Sequence, residues 1–215
     1  GVNVQLDSLF GSRTLFLVPN LDRDGQPVYA ISRATGDEGG GAAGYDGHPD
    51  DGMSGKYAKP AHTKPYAHVE EPIYGVETVE DGQPVLITEG IADAITAHQA
   101  GYPCLSPVTT RIKHDDREQV AAALAEHDVP RAYVIGDAER PSSDLDENDR
   151  LTLTQTGEGL GGALDTAAHL DRDGVDARVV ELPHSGLDKV DLDDYLREWT
   201  TDGGGDGSLD AVLAS

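Results

Sequence analysis

The rhythm of apolar positions changes near Gly82. Beyond it, short β-rich runs alternate with stretches that are apolar at helical spacing. Residues 84–88 read as a buried strand. Residues 91–100 read as a helix with Ile91, Ala94, Ile95 and His98 on one face. A short strand near 104–106 follows, then a helix over 115–127 with Val120, Ala123, Leu124 and His127 as its stripe. A strand over 132–136, a helix over 159–170 turning Leu160, Ala163, Leu164 and Ala167 inward, a strand over 177–182 and a helix over 191–199 complete the pattern. Such alternation predicts an α/β fold, a parallel sheet with helices on both faces and right-handed crossovers.

Before Gly82 the pattern is different. Residues 14–18 and 28–31 are strand-like and flank Asp22, Arg23, Asp24 and Gly25, and an Asp-Gly pair is a hairpin turn signal. Residues 35–55 are rich in Gly and Asp with little to bury, which predicts a flexible surface excursion. The expected organisation is a small N-terminal α+β subdomain over 1–81, an α/β domain over 82–200 and a linker-like tail over 201–215.

Charge changes this picture more than size does. The chain has 215 residues with 40 acidic and 16 basic ones, a formal net charge of -24. The acids are spread along periodic apolar segments, so the pattern is not that of a disordered acidic tail. It fits a folded halophilic protein of the cytoplasm, because high salt screens the self-repulsion of so acidic a compact state. Cys104 is the only cysteine, which excludes an internal disulfide and a cysteine zinc cluster. No apolar run approaches the roughly 20 residues of a membrane span, and no stretch reads as a signal peptide. A start at Gly1, close to a strand-like segment, is what an excised piece of a longer protein would give.

The candidate chemistry lies at the predicted strand ends. Val85, Leu86, Ile87 and Thr88 run into Glu89 and Gly90, with Asp93 in the first turn of the helix that follows. Asp137 and Glu139 follow the strand over 132–136, and Asp191, Asp193 and Asp194 open the last helix. Ligands bind beyond the carboxyl ends of the strands in open parallel sheets. Carboxylates gathered there supply the hard oxygen ligands that Mg²⁺ takes, with water and substrate phosphate completing its shell. The bland alternatives are helix-start charges for Asp93 and the Asp191 group, and solvated strand ends for Glu89 and Asp137. A rival motif is the run Gly157, Gly159, Gly162, which fits a dinucleotide-binding glycine pattern after a strand over 151–154, with Glu181 about 20 residues on. No lysine-bearing phosphate loop is present, and the eight histidines show no metal-ligand spacing.

Thr88, Glu89 and Gly90 followed by Asp93, then Asp137 and Glu139, then Asp191 and Asp193, resemble the TOPRIM domain. His98 to Gly101, Leu182 with Pro183, and Lys189 to Leu196 extend the resemblance over about 82–199. Upstream, Phe16 to Pro19, Asp22 to Gly25, Ile31 to Ala34, Lys56 with Tyr57, Pro65, and Ile73 to Gly75 occur in the order of the catalytic core of bacterial-type DNA primases. The resemblance implies a TOPRIM (Rossmann-like) parallel sheet beside the small N-terminal subdomain. It implies Glu89 as a metal-assisting acid–base group and Asp93, Asp137, Asp191 and Asp193 as metal-associated aspartates. Glu139 stands where the family usually has Asp, and residues 140–156 look like an insertion.

The implied activity is Mg²⁺- or Mn²⁺-dependent nucleotidyl transfer, making short primers on a single-stranded DNA template from nucleotides. A helicase or other replication domain, fused or in trans, would be its partner, with no membrane involved. Arg33, Lys56, Lys59 and Lys64 are the candidate phosphate binders, three lysines within nine residues of a chain with five in all. Two further classes use the same residues: a TOPRIM nuclease of the OLD type, and a non-catalytic TOPRIM nucleic-acid-binding module. A topoisomerase fits least, because no separate domain presents a nucleophilic tyrosine.

Overall fold

The structure, a computed structural model, describes residues 15–22, 24–34, 57–58, 73–107, 114–139, 142–145, 151–155, 157–183, 189–201 and 209–214. Packing divides the chain into two units, Gly1–Pro72 and Ile73–Ser215.

The first unit holds an antiparallel sheet of β1 (Leu15–Leu21), β2 (Pro27–Ala34) and β3 (Tyr57–Ala58), in that order. The expected hairpin is present. The Asp22 carboxylate closes its turn by accepting the N–H groups of Asp24 and Gln26 at 3.0 and 2.8 Å. Gly25 takes φ +74°, a backbone state that favours glycine. Ile31 and Asn20 are fully buried beneath the sheet's surface.

The second unit is built on a parallel sheet in the order β10 (Ala177–Val180), β6 (Ala132–Ile135), β4 (Val85–Thr88), β5 (Cys104–Leu105). All four β4 residues are buried, as a central strand covered on two faces requires. Alternate side chains serve alternate faces. Val85 and Ile87 join one core cluster with Val120 and Leu124 of α2 (His114–Glu126) and Ala163, Ala167 and Leu170 of α3 (Glu158–Arg172). Burial of each such aliphatic side chain contributes about 1.5–3 kcal/mol. On the other side, α1 (Ile91–Gln99) packs against β4 and against α4 (Leu192–Thr201), whose Leu192, Tyr195 and Leu196 are buried.

Several expectations shift in detail. The inward face of α1 centres on Ile91, Asp93, Ala94 and Ala97, while Ile95 and His98 are half-buried. In α3 the buried positions are Gly159, Gly162, Ala163, Thr166, Ala167 and Leu170, while Leu164 is 54% exposed. Small residues face inward because the helix start lies against the strand end. A Cβ on Gly159 would stand 2.3 Å from the Asp137 carbonyl oxygen, and one on Gly136 would stand 2.3 Å from the Gly159 carbonyl oxygen. The segment from Ile73 to Asp81, read as part of the N-terminal subdomain, packs with the second unit. Ile73 and Val79 lie in its core, and Tyr74 pairs with Ser106 through two 2.9 Å backbone hydrogen bonds. His98 secures this segment further. Its Nε2 lies 2.9 Å from the Cys104 carbonyl oxygen and 3.3 Å from Thr78 Oγ1, and its ring stacks on Tyr74.

Two small ladders went unread in the sequence pattern, which offered only the strand over 151–154. β7 (Ala138–Glu139) pairs antiparallel with β11 (Lys189–Val190), and β8 (Ser142–Leu145) pairs antiparallel with β9 (Leu151–Gln155). Within the tail read as a linker, α5 (Leu209–Ala214) buries Leu209, and its Asp210 accepts the Tyr102 hydroxyl at 2.9 Å. Among the described residues no helix is long and apolar enough to cross a membrane.

Candidate metal centre

The strand order sets the place of the site. The chain leaves β4 toward β5 on one side and returns to β6 on the other, then moves outward to β10. Neighbouring strands whose connections depart in opposite directions leave a crevice beyond their carboxyl ends. Here those strands are β4 and β6, with Thr88 in register with Ile135. Glu89 follows the first immediately, and Asp137 follows the second after Gly136. The turn at Glu89 is fixed by Ser106, whose hydroxyl donates to the Glu89 carbonyl at 3.1 Å.

Asp93 enters the crevice from the first turn of α1 and is only 7% exposed. Its Oδ1 accepts the backbone N–H of Asp193 at 3.0 Å. Its Oδ2 lies against Gly90, where a Cβ would stand 2.4 Å away, so glycine at that position makes room for the carboxylate. Burial, then the charge of Asp191, with smaller contributions from Asp137 and Asp193, pushes the Asp93 carboxyl up to about 7 against the hydrogen bond from Asp193.

The last two acids arrive through β11 and α4. The β7–β11 ladder sets Lys189 opposite Glu139 and Val190 opposite Ala138, which carries the chain into Asp191 beside the β6 end. Asp191 also acts as a helix-start group, its Oδ1 accepting the Asp194 N–H at 2.8 Å. Asp193 is held more firmly. Its Oδ1 accepts the Thr96 hydroxyl at 2.5 Å and Arg197 Nε at 2.8 Å. Lys189 places its ammonium 2.5 Å from Asp137 Oδ2 and 3.8 Å from Glu139 Oε1. Burial works against that charge, but the bond to Asp137 and the charges of Asp137, Glu139 and Glu89 outweigh it and raise the Lys189 pKa.

The six acids thus fall into two overlapping sets. On the α1–α4 side Asp93 feels the charges of Asp191, Asp137 and Asp193, and Glu89, Asp137 and Glu139 share the field of Lys189. Asp137 belongs to both. Their oxygens are the hard donors that Mg²⁺ takes, and the Asp93 carboxyl is raised by burial first and by the neighbouring negative charge of Asp191 second. In donor type the residues fit a divalent cation. Among the described residues, though, no group of three or more His, Cys, Asp or Glu side chains is arranged as a ready ligand set. Lys189 engages Asp137, and Thr96 with Arg197 engages Asp193.

Arg33 lies in β2, in register with Phe16 and Tyr57, and its side chain falls outside the described residues. Lys56, Lys59 and Lys64 fall outside them too. The dinucleotide reading of Gly157 to Gly162 lacks its structural context. β9 belongs to a separate antiparallel hairpin, not to the parallel sheet, and of that run Gly159 packs closely against the Asp137 backbone, while a Cβ at Gly157 or Gly161 would meet nothing. Sequence reasoning missed Lys189, Thr96 and Arg197 as members of the site. Only Lys189 left a signal, as a rare lysine two residues before Asp191.

No family model and no curated protein matches the chain by sequence. Solved structures match it in fold. A DNA primase domain from Pseudomonas aeruginosa does so with TM-score 0.56 and 18% identity, over 94% of this chain and 50% of that one. A DnaG primase catalytic domain bound to ssDNA gives 0.56 and 18%, over 94% and 51%. The primase fragment of the bacteriophage T7 primase-helicase protein gives 0.52 and 15%, over 94% and 64%. At these identities the likeness is one of fold: the chain has the TOPRIM-type primase-core fold that its motifs resemble. It spans about half the length of the first two structures.

Proposed function

We propose that this chain is the catalytic core, or part of it, of a primase-type nucleotidyltransferase that makes short primers on single-stranded nucleic acid. The observation that carries the reading is the departure of Glu89 and Asp137 from adjacent strands of a primase-core fold, with Asp93 buried between α1 and the Asp191–Asp193 segment. A divalent cation, Mg²⁺ or Mn²⁺, would neutralise charge on the nucleotide triphosphate and make the attacking 3′-hydroxyl more nucleophilic. The residues that would hold it are Glu89, Asp93, Asp137, Glu139, Asp191 and Asp193. The Glu89 carboxylate would accept the 3′-hydroxyl proton or orient a water. Arg33, Lys56, Lys59 and Lys64 would contact template or nucleotide phosphates, as point charges or guanidinium forks do.

The net charge of -24 opposes DNA binding driven by counterion release. Weak, transient engagement of the template follows, in a cytoplasm of high salt, with a helicase or other replication domain supplying residence on DNA. That a solved primase of this fold is bound to ssDNA, and another is part of a primase-helicase, supports both partners.

The test is incubation with single-stranded DNA, nucleotides and Mn²⁺ in high salt, for wild type and Glu89→Gln. New primers, reduced at least about a hundredfold by the substitution, support the reading. Shortened DNA instead would indicate the nuclease. A parent protein that stays fully active with Glu89→Gln would indicate a non-catalytic module.

A further inference from the structure

Lys189 is the only lysine among the described residues. Its backbone is fixed by the β7–β11 ladder directly opposite Glu139. Its ammonium lies 2.5 Å from Asp137 Oδ2 and 3.8 Å from Glu139 Oε1, and Glu89 adds to the field that keeps it protonated. These are three of the carboxylates proposed above to hold the divalent cation. The side chain is 49% exposed, so its four-carbon stem has open solvent into which it can turn. An ammonium and a divalent cation bound to the same carboxylate repel each other across a few ångströms.

We propose that Lys189 is a built-in competitor of the divalent cation: it pairs with Asp137 and offsets part of the charge it shares with Glu139 while metal is absent, and leaves Asp137 when metal enters. The inference rests on the metal-centre reading of this site. It accounts for how two carboxylates stay side by side in so acidic a chain, and for why Asp137 already has a cationic partner. The exchange replaces one positive charge by two, so metal binding is favoured but weakened by the pair it must break. A half-exposed ion pair of this kind sets that weakening at about fivefold in affinity.

The test is Mn²⁺ binding to the full chain, followed by electron paramagnetic resonance of the free ion, for wild type, Lys189→Gln, Lys189→Arg and Asp137→Asn. Competition predicts about fivefold tighter binding in Lys189→Gln, near wild-type binding in Lys189→Arg and weaker binding in Asp137→Asn. Wild-type binding that is lost in Asp137→Asn but unchanged or weakened in Lys189→Gln overturns the competition and leaves the metal centre standing. Absence of Mn²⁺ binding in both wild type and Lys189→Gln overturns both. A second readout needs no variant. The Lys189 Cε resonance of the wild-type protein should shift on Mg²⁺ titration as the ammonium leaves Asp137, and an unmoved resonance at saturating Mg²⁺ overturns the competition.

Discussion

The buried carboxylate of Asp93 accepts the backbone N–H of Asp193, a residue 100 positions further along the chain, at 3.0 Å. This one bond ties the first turn of α1 to the first turn of α4. It makes the fold of the C-terminal segment a condition for the geometry of the first motif.

Asp93 should make stability fall with pH. Its carboxyl is pushed up to about 7 by burial first and by Asp191 second, against an ordinary value of 3.8. A group whose folded-state pKa is raised stabilises the fold fully below its unfolded pKa. That contribution is lost as pH rises through the folded value. The window is therefore about pH 4 to 7, and the loss is at most about 4 kcal/mol. Asp93→Asn keeps an oxygen acceptor for the Asp193 N–H and carries no charge. Urea titrations without divalent metal should find the variant more stable than wild type at pH 8 and close to it near pH 4.

Divalent metal should reverse part of that loss. With Mg²⁺ or Mn²⁺ at a hundredfold excess over Kd, a ligand that binds only the folded state adds about 2.7 kcal/mol. The wild-type melting temperature at pH 8 should rise with Mn²⁺ and return with a chelator, while Asp93→Asn should respond much less. Near pH 4, where Asp93 is protonated, the wild-type response should also shrink.

Two glycines should differ in what their replacement disturbs. A Cβ at Gly90 meets the Asp93 carboxylate, and the backbone there (φ -99°, ψ 147°) suits any residue. Gly90→Ala should therefore move Asp93, lowering the proposed primer synthesis about tenfold or more with a stability cost near 1 kcal/mol. A Cβ at Gly159 meets backbone atoms of Asp137 at 2.3 and 2.8 Å, which yield less than a side chain. Gly159→Ala should cost about 1–3 kcal/mol and shift the strand end with it. Thermal melts beside activity assays separate the two.

Thr96 should prove structural although it touches a site residue. Its hydroxyl donates to Asp193 Oδ1 at 2.5 Å from within α1. Thr96→Val leaves that carboxylate one donor short and should cost about 1.5–3 kcal/mol, the range of a hydrogen bond to a charged group. Amide exchange should locate the loosening at the start of α4.

The positions of Glu89 and Asp137 were legible because they sit at strand ends, and strand ends can be read from apolar runs. Val85 to Thr88 form a four-residue buried run, so the position of Glu89 followed directly, as did that of Asp137 after Ala132 to Ile135. The helix faces were less legible. Leucines at 160 and 164 looked like core by hydrophobicity, yet close approach at Gly136 and Gly159 rotated α3 and turned its small residues inward. The two-residue ladder of β7 and β11 carries no periodicity at all.

What the sequence determined alone is the local order of the main segments: the strands and helices of the parallel sheet, and the carboxylates that follow β4 and β6. That information is short-range, because pleat and helical turn repeat within a few residues. What only the tertiary structure decided is which charges meet. Lys189 faces Asp137, Asp193 anchors Asp93, and Arg197 with Thr96 holds Asp193. These pairings depend on strand order and on how closely helices approach the sheet, and both are set by packing between segments far apart in the chain.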